Sequence, residues 1–160
     1  MLLLPVKYFG AFFQSSQSGI STKEEIGCRG AYGAAFEIKC DAALILEGTA
    51  AGDLGDVKDT RQVCRVGAGV AVSFMDNGSI ANRELYRQVL GIAEKEKAHC
   101  QIKEGVTGGN DAHAYQAAAG GKATCVLSVP CRYIHGPSSV AQLSDAEDQY
   151  DLALKCVNGL

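Results

Sequence analysis

The sequence has no surplus of basic charge, no long apolar run and no pairing motif among its cysteines, and each absence closes a class of function. Lysine and arginine number 15 against 18 acids, the net charge is −3, and the basic residues are scattered. Such a chain offers no electrostatic footprint for a nucleic acid. Its apolar stretches fall far short of the roughly 20 residues that a membrane-spanning helix needs. Leu2-Leu3-Leu4 is cut short by Pro5 and Lys7, with no small-residue cleavage site behind it, which argues against a secretory signal. The seven cysteines are odd in number, widely spaced and never arranged as C-x-x-C. Most sit in apolar runs. Buried free thiols in a reducing cytoplasm are therefore expected rather than a disulfide scaffold, and a thiol-based redox function has no motif behind it.

What is present describes one ordered globule: 160 residues, 47% of them apolar, without low-complexity tracts. From Gly27 on, helices and strands alternate. Gly30 to Lys39 reads as a helix packed through Ala31, Ala34, Ala35 and Ile38. Ala42 to Leu46 is a continuous apolar run, as in a strand buried on both faces, and it ends at Glu47. A loop-rich stretch to Gly69 precedes a second strand, Val70 to Phe74, closed by the turn signal Asp76-Asn77-Gly78. Arg83 to Lys97 is an amphipathic helix with Leu85, Val89 and Ile92 as its stripe.

An alternating strand, Cys100 to Glu104, leads through Gly108-Gly109-Asn110-Asp111 into a helix ending at Gly120-Gly121. Ala123 to Val129 is another buried strand. Ser144-Asp145-Ala146-Glu147 has the spacing of a capping box, opening a final helix to about Val157. The alternation predicts an α/β fold with a mostly parallel sheet and helices on its faces. Residues 1–22 stand apart as an irregular segment, in which Val6 to Phe13 is the only strand-like piece.

In open sheets of this kind, functional groups gather beyond the carboxyl ends of strands. Glu47, Asp111 and His135 occupy such positions, each after an apolar run. Glu24-Glu25 lies just ahead of a small-residue helix. An extended backbone would point the two acids opposite ways, one to hold a metal and one to face a bound water. A hydrolytic metal centre needs oxygen and imidazole ligands with a nearby base, and Glu24, Glu25, Glu47 and His135 are the right types. Structural roles remain open for each. Glu-Glu could be a solvated turn, Glu47 could cap the Gly48-Thr49 turn, and His135 could bond to loop backbone. Gly108 to Asp111 could bring backbone close to a substrate or be a tight turn with an N-cap. His99 and His113 are less distinctive; His99 lies near a helix end, where a cation suits the dipole.

Four segments occur in a telling order: Glu24-Glu25-Ile26-Gly27-Cys28-Arg29-Gly30-Ala31, Leu46-Glu47-Gly48-Thr49-Ala50-Ala51-Gly52-Asp53, Gly108-Gly109-Asn110-Asp111-Ala112, and Ser128-Val129-Pro130-Cys131-Arg132-Tyr133-Ile134-His135-Gly136-Pro137. From Lys23 to Val157 the chain resembles the carboxy-terminal half of the tetrahedral aminopeptidases, dinuclear metallopeptidases also known as glutamyl aminopeptidases or endoglucanase-like proteins. The resemblance implies a three-layer α/β/α zinc-peptidase-like (phosphorylase/hydrolase-like) fold, with 23–160 as the carboxy-terminal half of the catalytic domain. It also implies hydrolysis of amino-terminal residues from a peptide substrate by two divalent metal ions, Zn²⁺ or Co²⁺, about 3.5–4 Å apart.

By that resemblance Glu24 matches the general base and Glu25 a ligand of one ion, shared with His135. Glu47 matches an acidic ligand of the other ion, and Gly109, Asn110 and Asp111 match the segment shaping the substrate pocket, where many relatives have Thr in place of Asn110. The family's amino-terminal half supplies a His-x-Asp metal motif, a bridging Asp and an inserted small β domain used in assembly. Here no His precedes Glu24, and every Asp follows it. The expectation is a truncated chain in which each ion keeps about two protein ligands or fewer. It would act in the cytoplasm as a homo-oligomer or with a complementary amino-terminal half; the alternative is a non-catalytic remnant or association subunit of the same fold.

Overall fold

The computed structural model describes residues 2–6, 17–118 and 120–160 of the chain. Its strands are β1 (Leu2–Val6), β2 (Gly19–Ile20), β3 (Ala42–Ala50), β4 (Val70–Ser73), β5 (Cys100–Lys103), β6 (Ala123–Arg132) and β7 (Val140–Ala141). Its helices are α1 (Arg29–Glu37), α2 (Arg83–Lys95), α3 (Ala112–Ala117) and α4 (Leu143–Gly159), with single 3₁₀ turns at Glu24–Ile26 and Asp59–Arg61. Apart from Val6, which ends β1, the strand-like piece Val6 to Phe13 lies outside the described residues.

The strands lie in the order β2-β1-β3-β6-β4-β5, with β7 against the end of β6. β3 and β6 run parallel with Glu47 opposite Ser128, and β4 and β5 run parallel to each other. β4 is antiparallel to β6, and β1 is antiparallel to β3, so the sheet is mixed rather than mostly parallel. The cause is in the connections. Parallel neighbours need a crossover, usually a helix, and α2 supplies one between β4 and β5. Between β3 and β4 the chain carries only the Asp59–Arg61 turn. It turns back at the end of β3, so β4 runs the opposite way.

Alternate residues of the central strands face two helical layers. Leu44, Leu46, Val70, Val72, Cys125 and Leu127 pack against Leu85 and Val89 of α2 and Leu152 of α4. On the opposite face Ala43, Ile45 and Val126 meet Ala31 and Ala35 of α1 and Ala112, Ala114 and Tyr115 of α3. The three-layer α/β/α expectation holds. The second face is built from small residues, and α1 seats closely through Gly30. A Cβ there would lie 2.4 Å from the Thr22 carbonyl oxygen, which already accepts a hydrogen bond from the Gly30 amide at 3.0 Å.

The capping box does not form. α4 begins at Leu143 with Gln142 as an N-cap that makes no side-chain cap bond. Ser144 therefore lies inside the first turn, and the next residue, Asp145, is fully buried, its carboxylate accepting hydrogen bonds from the amides of Gly67 (2.7 Å) and Gly69 (3.0 Å). These bonds tie the final helix to the loop entering β4. All seven cysteines are free, four of them buried. Among the described residues no helix is long and apolar enough to cross a membrane.

Candidate functional site

Glu24 and Glu25 occupy a 3₁₀ turn, not an extended segment. The turn is bracketed by left-handed backbone at Lys23 (φ 61°), Gly27 (φ 102°) and Cys28 (φ 51°). With three residues per turn, successive side chains still diverge. Glu25 projects outward and Glu24 inward, where the Cys28 thiol donates to its Oε1 at 3.7 Å. Positive φ at non-glycine residues is costly, and it is kept where surrounding structure fixes it, often at functional sites. The same strain recurs across the cleft at Tyr133 (φ 58°) and His135 (φ 64°), in the loop that follows β6.

That loop brings His135 to Glu25, with Nδ1 3.7 Å from Oε1. Both side chains are largely exposed, at 68% and 73%. Glu47 lies within β3 rather than at its end, because β6 pairs with β3 as far as Ala50. Its Oε1 accepts from Ser128 Oγ at 3.0 Å and from Asn110 Nδ2 at 3.5 Å. Gln149 of α4 donates to the Glu47 backbone carbonyl at 2.8 Å. Glu24, Glu25, Glu47 and His135 line one cleft of about 880 Å³, together with Gly109 and Asn110.

Asn110 is committed to structure. Its Nδ2 donates to Asp76 Oδ2 at 2.7 Å, and its Oδ1 accepts from the Ala112 amide at 2.8 Å, opening α3. Asp111 departs from the expected pocket position. It is fully buried beneath the cleft, beside the Cys28 thiol. Gly108 (φ 68°) supplies the left-handed turn that admits the loop.

Sequence reasoning passed over four residues here. Cys28 and His113 line the cleft, Ser128 anchors Glu47, and Asp76 anchors Asn110. Helical spacing could have signalled His113, three residues after Asn110, and Cys28, four after Glu24. His99, by contrast, sits away from the cleft, its Nδ1 2.9 Å from Asp148 Oδ2.

The cleft is acidic and partly desolvated. Burial pushes the Glu47 carboxyl up to about 7, with the Ser128 hydrogen bond and the Lys103 charge pulling the other way. Burial, then the charges of Glu25 and Asp111, raise Glu24 above the ordinary carboxylate range. Burial and the two neighbouring carboxylates push the Cys28 thiol up as well. A thiol so placed stays protonated. The His113 Nδ1, 3.9 Å away, donates to the Asn110 carbonyl at 2.7 Å and is not free to act as its base. Nucleophilic thiol chemistry is thereby disfavoured.

The donor set suits a divalent cation. Ligand atoms on a tetrahedral ion with bonds of about 2.0–2.1 Å lie about 3.3 Å apart, so the Glu25–His135 separation needs only a small side-chain adjustment. The accumulated carboxylates would also be relieved by a positive charge.

Residues 14–152 match the M42 glutamyl aminopeptidase family. The chain is 32% identical to a lysyl aminopeptidase of Pyrococcus furiosus over 134 residues, 83% of this chain and 37% of that one. An aminopeptidase from the archaeon Desulfurococcus kamchatkensis superposes with a TM-score of 0.85 at 30% identity, covering 88% of this chain and 40% of that one. The TET1 peptidase of Pyrococcus horikoshii, which can assemble into a tetrahedron or a large octahedral shell, superposes with a TM-score of 0.68 at 33% identity, covering 83% and 38%. The chain thus spans about two fifths of the length of these relatives.

Proposed function

The chain belongs to the M42 glutamyl aminopeptidase family, and we propose from this that its cleft serves the metal-dependent removal of amino-terminal residues from peptides. The observation that carries the reading is convergence. The 3₁₀ turn, strand β3 and the loop after β6 are far apart in sequence, yet they deliver Glu24, Glu25, Glu47 and His135 to one cleft.

Glu25 and His135 would hold one ion and Glu47 a second, with Ser128 and Asn110 fixing the Glu47 carboxylate. Bound divalent cations, Zn²⁺ or Co²⁺, would supply Lewis acidity and lower the pKa of a water. Glu24 is the general base. Its carboxyl is raised by burial toward the working pH, which suits a group that must take a proton and return it. The strained turn holds it inward while Glu25 faces outward. Gly109, which has no side chain and open space around it, leaves room for a peptide amino terminus. Asn110 shapes the floor of the pocket, and Asp111 supports the floor from beneath.

Assembly of this chain with copies of itself is part of the same proposal, by likeness to the shell-forming TET1 peptidase. A complementary chain carrying the remaining sequence of the relatives is the other arrangement. Seven free cysteines suit a reducing compartment such as the cytoplasm.

Turnover of lysyl, glutamyl and alanyl anilides by the purified chain, with and without added Zn²⁺ or Co²⁺, tests the reading. Metal-dependent release of the aniline is expected, falling by at least about 100-fold in Glu24→Gln. Full metal loading without turnover would overturn it in favour of a non-catalytic, associating protein.

A further inference from the structure

Away from the cleft, the outer edge of the sheet carries a surface that the peptidase reading does not use. β5 (Cys100–Lys103) is the last strand in the order, paired through one edge to β4. The Val70 amide donates to the His99 carbonyl at 3.3 Å. In a parallel ladder this turns the main-chain groups of His99, Gln101 and Lys103 toward β4, and those of Cys100 and Ile102 outward. Among the described residues the outer edge is engaged only past its end, where the Glu104 amide donates to the Val63 carbonyl at 2.9 Å.

Open edges are usually blunted, often by a lysine held out in solvent. Lys103 does not serve that purpose: it is buried, and its Nζ donates to the Thr107 carbonyl at 3.0 Å. The side chain left at the edge is Ile102, 53% exposed. Beside it a groove of about 410 Å³ runs between β5 and the end of α2. Leu90, Ala93, Ala98 and Cys100 line it, with one acid, Glu94, and one base, Lys97.

A two-fold contact needs one patch to hold both halves of every interaction. This patch does: an apolar projection beside an apolar groove, an acid beside a base, and outward main-chain donors beside acceptors. We propose that two copies of this chain pair antiparallel through β5, with the two-fold axis at Gln101. In that register Cys100 of each copy lies opposite Ile102 of the other, and each pair exchanges both of its main-chain hydrogen bonds. Ile102 of one copy covers the groove of the other, where Glu94 and Lys97 can pair crosswise. The Glu104–Val63 bond is kept. So short a contact falls below the roughly 800 Å² per partner of a standard interface, and the dimer is a weak one, with a Kd of about 10–100 µM. The inference rests on the assembly of copies proposed above, to which it gives a surface, and not on peptide hydrolysis.

Sedimentation equilibrium of the purified, reduced chain tests it. The parent should be mostly dimeric at about 500 µM. Ile102→Lys puts a charge on the edge without touching the core, and should weaken association at least about tenfold with an unchanged circular dichroism spectrum. Ile102→Cys is a second probe, because paired Cα atoms about 5.5 Å apart suit a disulfide. Oxidised glutathione should link the introduced thiol to Cys100 of the other copy, and the link should be lost when Cys100→Ser is added. A monomeric parent, which would leave the edge to a different partner, or a cross-link that survives Cys100→Ser would overturn the proposal. Association unchanged in Ile102→Lys would also overturn this contact, while leaving assembly of copies through another surface intact; anilide turnover reads the peptidase proposal separately.

Discussion

The two faces of the sheet are built from alternate residues of the same strands, yet they do different work. Toward α2 and α4, β3 and β6 present Leu44, Leu46, Cys125 and Leu127, in a dry layer closed by Leu85, Val89 and Leu152. Toward α1 and α3 the residues between them are Ala43, Ile45, Glu47, Thr124, Val126 and Ser128. Small side chains there let α1 and α3 approach, and buried polar groups replace apolar volume. One face supplies stability, while the other gives some up to hold carboxylates at fixed positions. Sites that carry charge out of water commonly show this exchange.

The sharpest way to break this contrast is to change one face at a time. Leu127→Ala should cost about 2–5 kcal/mol in denaturant unfolding, through lost burial and a residual cavity. Its neighbour Ser128→Ala, on the opposite face, should cost about 1 kcal/mol, the worth of its hydrogen bond to Glu47. Equal losses would remove the distinction.

Glu47→Gln should move stability the other way. The folded-state value of Glu47, about 7, lies above its ordinary 4.5, so folding favours the protonated acid. The penalty is absent below the ordinary value, grows as pH rises toward the folded value, and is complete above it. In chelator, the variant should be up to about 3 kcal/mol more stable than the parent at pH 8 and no different near pH 4.

Much of this arrangement was legible in the sequence. An α/β sheet with helices on its faces follows from apolar runs alternating with amphipathic helices, and the three-layer fold is the one the family resemblance implies. Glu24, Glu25, Glu47 and His135, singled out in the sequence, line one cleft. The direction of β4 was not legible, because it depends on a connection without a helix rather than on any local pattern. Nor was the support of Glu47 by Ser128, which requires knowing that β3 pairs with β6, 81 residues on. The helix expected to run to Lys97 stops at Lys95, with left-handed backbone at Lys97. The capping-box spacing was real, but α4 starts at Leu143, one residue before Ser144, which places Ser144 inside the first turn rather than at the N-cap.

Smaller effects sharpen the same picture at the periphery. Arg132, just beyond the shared ladder, grips Asp53 through two bonds of 2.8 Å, and Asp53 Oδ2 also accepts from the Val66 amide at 2.9 Å. The Arg132 hydrogen bond is the first cause of the lowered Asp53 pKa, so this stabilisation is present at neutral pH and is lost as pH falls through the folded-state value. Asp53→Asn should cost about 1–2 kcal/mol at pH 7, and less in acid. Ser144→Ala should change unfolding by less than about 0.5 kcal/mol, because no cap is lost; a loss near 1 kcal/mol would restore the capping box.

The central claim is that Glu25 and His135 form one end of a metal site in the acidic cleft. Calorimetric titration of the chain with Zn²⁺ tests it most directly. The account predicts binding that weakens at least about tenfold in both Glu25→Gln and His135→Ala; affinity unchanged by either substitution would contradict it.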